Sequence, residues 1–330
     1  MIARLFVLLP FSLTVRDGQK FTVYGYDDNG YRVLFYPPGR SDRAPTTVEP
    51  EELKMDGIPA FQADTLRIDF HKDNFERKIG EPIDPPQEVL SRAVNSFLVR
   101  LRHVARAPQV RPMNFPWGTW RIQYLNDDES ELEKKEGFVG GQGAVSFSVS
   151  LIALSQKVWD DIHSLEPEYE APTWESLLLD AGSELPRIGP AVVLASTALE
   201  VFIAEVLDKL AEIKKASPEL WKWINERGDR LREPTVEEQF DVLLKYFTGH
   251  SLKEEQQLWR LFNNLKRARN SFVHEGFAKV DGEAINTQAA QKLIVAATEV
   301  INKIKEWLPS ELRWREFRHE IHIQASKKLT

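Results

Sequence analysis

The spacing of hydrophobic positions changes about halfway along the chain. In roughly the first 150 residues, apolar and polar positions alternate in short runs, which predicts β-strands. After about residue 174 the apolar positions recur every three or four residues, which predicts amphipathic helices. The strand-like runs are residues 5–36, TLRIDF (65–70), TWRIQYL (119–125) and AVSFSVSLI (144–152). We therefore expect an α+β N-terminal domain of mainly antiparallel strands, followed by an all-α helical-bundle C-terminal domain.

Four local features complete the prediction for the first half. Asp28-Asn29-Gly30 predicts a tight hairpin, because Asn-Gly accepts the positive φ angles that such turns need. An apolar stripe at helical spacing predicts one helix from Pro86 to about Val104. The acidic run DDESELEKKE (127–136) predicts a solvated loop. GFVGGQGA (137–144) lacks the Lys-Ser/Thr of a phosphate-binding loop and is expected to be a flexible hairpin connection.

The change of spacing also predicts the domain boundaries. Residues 1–165 are expected to form the α+β domain, with 166–173 (EPEYEAPT) as a linker. Residues 174–310 are expected to form the helical bundle, and 311–330 a C-terminal tail. The sequence HEIHIQA within this tail alternates between polar and apolar residues, which is compatible with a short strand or with a frayed helix end.

Capping signals predict where the helices of the second half begin. Ser217 followed by Pro218 combines an N-cap residue with proline at the first helical position. Capping boxes, in which a side chain and the backbone satisfy each other's unpaired groups, are predicted to begin at Thr235 and at Ser251. The predicted helices cover about 174–185, 189–215, 218–228, 235–248, 252–275 and 285–308.

Composition and charge narrow the chemistry that the chain can perform. It contains no cysteine, which excludes disulfides, thiol catalysis and cysteine-based zinc sites. The net charge is −7 and neither half is strongly basic, which argues against avid nonspecific binding of nucleic acid. The apolar N-terminal run contains Pro10 and leads into a strand pattern, so we expect a buried strand rather than a signal peptide. We also expect no membrane-spanning helix and a cytoplasmic protein.

The helix predicted at 252–275 contains the most informative stretch, RARNSFVHEG (267–276). A helical wheel at about 100° per residue places Arg269 at the margin of the apolar face, and Asn270 and His274 on the opposite side. A buried arginine needs a partner, because an unpaired buried charge costs several kcal/mol. Glu200, on the helix predicted at 189–215, is a candidate for this structural ion pair. His274 lies in the last turn, and histidine can accept and donate protons near neutral pH.

Arg269-Asn270-x-x-x-His274 resembles the R-[polar]-x-x-x-H motif of HEPN domains, and it lies late in a long helix as it does in that family. Upstream, AVVLASTALEVFIAEVLDKL (191–210) is similar to the first long helix of the family, with small residues and a glutamate before an apolar run. The resemblance covers roughly residues 174–308 and does not extend to the first half.

Many HEPN domains are metal-independent endoribonucleases that act as dimers. The resemblance implies that Arg269 holds the scissile phosphate and that His274 moves the proton. It also implies that Asn270 orients a neighbouring group. Lys266 and Arg267 would then extend the track of phosphate contacts, although charges on a solvated helix face are the alternative interpretation.

Helix geometry separates the two principal residues of the motif. On a straight helix Arg269 and His274 lie about 140° apart. They converge only if the helix end loosens, or if two subunits face each other and share a composite site. Many members of the family act as dimers, which favours the second option. We therefore expect a homodimer formed through the helical domain.

Two classes of function remain open. The first is an endoribonuclease that acts on RNA, implied by the resemblance to serve in prokaryotic antiviral (anti-phage or abortive-infection) defence or as a toxin. The N-terminal domain would then sense or regulate through a partner or ligand. The second is a noncatalytic module that binds nucleotides or proteins.

Basic tail residues Arg313, Arg315 and Arg318 offer further RNA contacts. His319-x-x-His322 has ligand spacing without a carboxylate partner, so we expect no metal and no cofactor.

Overall fold

The structure is a computed structural model that describes residues 1–40, 52–73, 77–115, 117–138, 152–225, 233–317 and 319–326. The chain divides into two compact units, one formed by residues 1–170 together with the chain from Phe317 onward, and the other by residues 171–316. Three predicted features lie wholly or mostly outside the described residues. They are the strand 144–152, the glycine-rich stretch 137–144 and the helix end 226–228.

The described part of the first unit contains one sheet of nine strands and two helices. The strands are β1 (Ile2–Arg16), β2 (Tyr24–Asp28), β3 (Tyr31–Gly39), β4 (Glu52–Met55), β5 (Ile58–His71), β6 (Thr119–Leu125), β7 (Glu131–Phe138), β8 (Ile152–Ala153) and β11 (Ile323–Ser326); the two strands numbered between β8 and β11 belong to the second unit. The helices are α1 (Gln87–Val104) and α2 (Gln156–His163). The pairs are antiparallel except β8 with β1, so the expected α+β class with mainly antiparallel strands is confirmed.

The two long strands β1 and β5 form the centre of the sheet. β1 pairs with β5 on one side and with β6 on the other. The register of the β1–β5 pair shifts between Leu8 and Leu13, around Pro10, whose missing N–H cannot contribute to a ladder. Alternate residues such as Leu5 and Val7 are fully buried and share one apolar core with α1 and α2. Their neighbours along β1 are only half-buried, on the opposite face of the sheet.

Local signals in the first half are largely confirmed, with two differences. Asn29 and Gly30 have φ angles of 49° and 79°, as the hairpin between β2 and β3 requires. The acidic run was wrongly expected to be a loop throughout, because its second half forms the strand β7 beside β6. Helix α2 was not predicted. Ser155 begins it by accepting a hydrogen bond from the Val158 N–H at 3.2 Å.

The end of the chain belongs with the first unit, although the sequence suggested a separate tail at 311–330. β11 pairs antiparallel with β4, with Ile323 opposite Met55. The His322 N–H donates to Asp56 at 2.9 Å next to this pair. Of the two options that the alternating sequence left open, the strand is the one that forms.

The second unit is helical. Its helices are α3 (Thr173–Glu184), α4 (Ile188–Ile213), α5 (Pro218–Asn225), α6 (Val236–Glu238), α7 (Leu244–Thr248), α8 (Gln256–Glu275) and α9 (Thr287–Trp307). A π-helical turn, Gln239–Leu243, joins α6 to α7, and the hairpin of β9 (Lys279–Val280) and β10 (Glu283–Ala284) separates α8 from α9. Both predicted capping boxes, at Thr235 and Ser251, are confirmed.

Helix α4 is the central helix of this unit, because it packs against α3, α8 and α9. Its apolar residues, Phe202 among them, lie in the same core as those of α8 and α9. Within the described part of the chain, α4 is the single helix long and apolar enough to cross a membrane. More than half of its most apolar window, 56%, is buried among other residues, as is usual for a core helix.

Candidate functional site

The candidate site lies at the C-terminal end of α8. The predicted apolar face of this helix is confirmed, because Phe262, Leu265 and Ala268 are buried in the core of the second unit. The helix ends at Gly276, which adopts the left-handed conformation with a φ of 81° and whose N–H donates to the Phe272 carbonyl at 2.8 Å. α8 therefore remains α-helical to Glu275, and its end does not loosen.

Arg269 is half-buried and its guanidinium lies beside the next side chain along the helix. Its Nη1 donates a hydrogen bond to Asn270 Oδ1 at 3.1 Å. Its Nε is buried and has no hydrogen-bond partner among the described residues. A buried arginine N–H without an acceptor lowers the stability of the folded protein unless a ligand accepts its hydrogen bond.

The candidate ion pair between Arg269 and Glu200 does not form. Glu200 instead accepts a hydrogen bond from Ser196 Oγ at 3.2 Å, one turn earlier on α4. A partner on its own helix is available at little entropic cost, whereas a cross-helix pair would have to order two long side chains. No carboxylate pairs with Arg269 within the described ranges, so its positive charge is not neutralised there.

His274 and Asn270 lie on the outer side of α8. His274 is exposed in the last turn, and Asn270 is half-buried one turn earlier. No hydrogen bond joins His274 to Arg269 or to Asn270 among the described contacts. Within one copy of the helix the arginine and the histidine therefore share no hydrogen bond among the described contacts, although the bond to Asn270 turns the guanidinium toward the side that carries His274.

Lys266 and Arg267 both have acidic partners. Lys266 forms an ion pair with Glu237, and Arg267 Nη1 lies 2.6 Å from Asp281 Oδ1. Burial lowers the pKa of the Lys266 ammonium, and the charge of Arg267 lowers it further while Glu200 opposes the shift. These contacts favour the interpretation that the two cations belong to the helix surface rather than to a phosphate track.

Ser271, inside the motif, has a structural role that the sequence did not indicate. Its Oγ accepts a hydrogen bond from the Lys279 N–H at 2.6 Å and donates to the Phe277 carbonyl at 2.9 Å. The hydroxyl thus fastens the β9–β10 hairpin to the end of α8. A serine in a helix has many possible partners, so only the path of the chain after Gly276 identifies these.

Two apolar side chains next to His274 are exposed. Val273 has 52% of its surface exposed and Phe277 has 66%. Nearby, Lys279 and Glu275 form an ion pair at 2.7 Å. The end of α8 therefore presents two exposed apolar side chains and an exposed imidazole.

Of the tail residues named as further candidates, Arg313 and His319 have contacts of their own. Arg313 Nε donates to the Leu308 carbonyl at 3.5 Å, and Arg318 lies outside the described residues. His319 belongs to the first unit, where its Nε2 lies 3.6 Å from Asp161 and burial lowers its pKa. Among the described residues no three histidine or acidic side chains are grouped to hold a metal ion.

Models of protein families, curated proteins and solved structures yield no match to this chain. The resemblance to HEPN domains therefore rests on the motif of α8 and on the helices around it.

Proposed function

We propose that the helical unit is a HEPN-type, metal-independent endoribonuclease. The observation that carries the proposal is the state of Arg269: it is half-buried, it lacks a carboxylate partner in the described part of the chain, and its Nε has no acceptor. A guanidinium held in this way can bind a phosphate oxygen with donors that the protein itself does not use.

The three motif residues suit cleavage of RNA by its own 2′-hydroxyl. The 2′-oxygen would attack phosphorus, the bond from phosphorus to the 5′-oxygen would break, and one proton would pass from the former to the latter. His274 is exposed and can carry that proton. Arg269 would stabilise the charge that develops on the phosphate oxygens, and Asn270 would orient the guanidinium through its amide oxygen.

The proposed site combines two copies of the chain. Arg269 and His274 occupy positions about 140° apart on a helix that stays regular to its end, and they share no hydrogen bond among the described contacts, so an arginine from one subunit would act with a histidine from the other. The exposed Val273 and Phe277 provide apolar surface for such a homodimer at the position where the composite site would form.

The alternative is a noncatalytic module that binds nucleotides or proteins. The ion pairs of Lys266 and Arg267 favour it, because they remove two expected phosphate contacts. Under either function we propose that the first unit senses or regulates. A cytoplasmic location and a role in prokaryotic defence or as a toxin are proposed from the resemblance.

The test is incubation of the purified full-length protein with mixed RNA in EDTA. Wild-type protein is expected to produce fragments with 2′,3′-cyclic phosphate and 5′-hydroxyl ends, and His274→Ala and Arg269→Ala are expected to produce none. Arg260→Ala is the matched control, because Arg260 is exposed four residues into the same helix. Absence of cleavage at concentrations where the protein is dimeric would overturn the nuclease and favour the noncatalytic module.

A further inference from the structure

The sheet of the first unit has a second face that carries arginines and aromatic rings. Along β1, Leu5 and Val7 point into the core, so Arg4, Phe6 and Leu8 lie on the opposite face. These three side chains are half-buried rather than exposed, which shows that they pack against neighbours on that face.

The strand register brings aromatic and cationic side chains into one row across this face. Phe6 of β1 lies opposite Arg67 of β5 and opposite Arg121 of β6. Arg67 in turn lies opposite Tyr36 of β3. On the far side of Arg121 the row ends at Glu136 of β7, which also forms an ion pair with Lys134.

Two guanidinium groups in this row rest on aromatic rings. The central carbon of Arg67 lies 3.7 Å from the centre of the Tyr36 ring, and that of Arg121 lies 4.5 Å from the centre of the Phe6 ring. Attraction between a cation and a ring face restrains each group, so less conformational entropy is lost when it binds a ligand.

A cavity of about 260 Å³ opens beside this row. Its lining includes Arg40, Arg67 and Arg121, the hydroxyl side chains of Thr65 and Thr119, and the ring of Phe6. Among the described residues, the lining contains no acidic side chain. On the same face, Asp69 is buried and accepts from both Arg67 at 2.7 Å and Arg4 at 3.0 Å, and Arg4 also lies 3.5 Å from Glu129. The described lining of the cavity therefore combines three guanidinium groups with two hydroxyls.

We propose that this cavity binds the phosphate and base of a nucleotide. Arginine forks and threonine hydroxyls are the groups that recognise phosphate oxygens. A flat base can stack on a guanidinium plane or an aromatic ring, as in many single-strand binding sites. The volume lies just below the usual range of small-molecule sites, roughly 300–1,000 Å³, which suits one nucleotide unit and not a dinucleotide cofactor.

The same chemistry is offered by a free nucleotide and by one unit of a single strand. The proposal concerns the first unit alone and does not depend on RNA cleavage by the second. Its outcome is therefore separate from that of the nuclease test.

Isothermal titration calorimetry of the full-length protein tests this site. The probes are the four ribonucleoside 5′-monophosphates, the matching nucleosides, inorganic phosphate, and a ten-residue oligodeoxynucleotide, which lacks the 2′-hydroxyl needed for cleavage. We expect at least one monophosphate or the oligonucleotide to bind, and to bind more tightly than its nucleoside or phosphate alone. Whichever of the two binds identifies the source of the ligand.

Variants decide whether the binding occurs in the cavity. Arg121→Gln is expected to weaken binding about tenfold, since it removes one charge-assisted contact. Thr119→Val is expected to weaken it less. Arg32→Gln is the matched control, because Arg32 is an exposed arginine of β3 that pairs with Asp27 and does not line the cavity. The proposal is overturned if no phosphate-bearing probe binds at millimolar concentration, or if Arg121→Gln binds as the wild type does.

Discussion

The guanidinium of Arg269 donates a hydrogen bond to the side-chain oxygen of Asn270, its immediate neighbour in sequence, at 3.1 Å. Side chains one residue apart on a helix point about 100° away from each other, so this contact depends on the length of the arginine. It directs a charged group that has no carboxylate partner in the described structure toward the outer side of α8.

Replacing Asn270 with an acidic residue should slow RNA cleavage strongly. In Asn270→Asp the hydrogen bond to Arg269 persists, but the carboxylate neutralises the guanidinium and repels phosphate. We expect the cleavage rate to fall about 100-fold, the size of effect seen when a transition-state donor is lost. Asn263→Asp is the control, because Asn263 lies on the same helix and bonds the Trp259 carbonyl. Equal rates for Asn270→Asp and the wild type would contradict a role for Arg269 in catalysis.

Mixed dimers test the composite site. A dimer of one His274→Ala subunit and one Arg269→Ala subunit retains one intact pair if the two residues act across the interface. Co-expression of the two inactive variants should therefore restore roughly a quarter of wild-type activity, since half of the dimers are mixed and each has one site of two. If both residues act within one subunit, the mixture stays inactive.

The exposed phenylalanine beside His274 should control the oligomeric state. Phe277→Asp places a charge in the proposed apolar interface and is expected to shift the protein from dimer to monomer in sedimentation velocity, with loss of cleavage. Ile79→Asp changes a side chain that is also exposed, at 74%, but belongs to the first unit, and should leave the dimer intact. A dimer that survives Phe277→Asp would place the interface elsewhere.

Two glycines of the helical unit should respond in opposite directions to alanine. A Cβ on Gly189 would lie 2.0 Å from the ring of Phe272, so Gly189→Ala is expected to lower the free energy of unfolding by about 1–3 kcal/mol through overpacking. At Gly182, in α3, no described atom beyond the neighbouring residues and the local helix backbone lies within 4 Å of the same position, and Gly182→Ala should raise the free energy of unfolding by up to about 1 kcal/mol. Urea unfolding of both variants measures the difference.

His163 should make the first unit less stable in acid. Burial, with a smaller contribution from Arg100, lowers the pKa of His163 to about 3 from an ordinary value near 6.5. The unfolded chain therefore binds a proton in this range that the folded chain does not, and stability falls as the pH drops from about 6.5 toward 3.

A variant isolates this contribution. His163 stacks on Tyr24 with ring centres 4.7 Å apart, so His163→Phe preserves the aromatic packing and removes the titration. Between pH 6 and pH 4 the wild type should lose up to about 1.4 kcal/mol more per pH unit than this variant, measured by urea unfolding. Identical slopes would show that His163 is protonated in the folded protein.

Features that depend on a few neighbouring residues followed from the sequence. The Asn29-Gly30 turn, the capping boxes at Thr235 and Ser251, and the glycine at the end of α8 all depend on φ angles and hydrogen bonds within about four residues. The buried face of α8 followed from helical spacing for the same reason. The angle between the helical positions of Arg269 and His274 also followed from the sequence, because a regular helix sets it.

Only the tertiary structure decided the contacts between distant segments. Glu200 accepts a hydrogen bond from Ser196 and does not pair with Arg269. β11 pairs with β4 near Met55, and Phe6 lies between two arginines of the neighbouring strands. Such pairings depend on strand register and on competition among many possible partners, which no local pattern records. The sequence alone therefore located the motif and its helix. Which cations near the motif have acidic partners, and where the arginine-lined cavity forms, depended on how the chain packs.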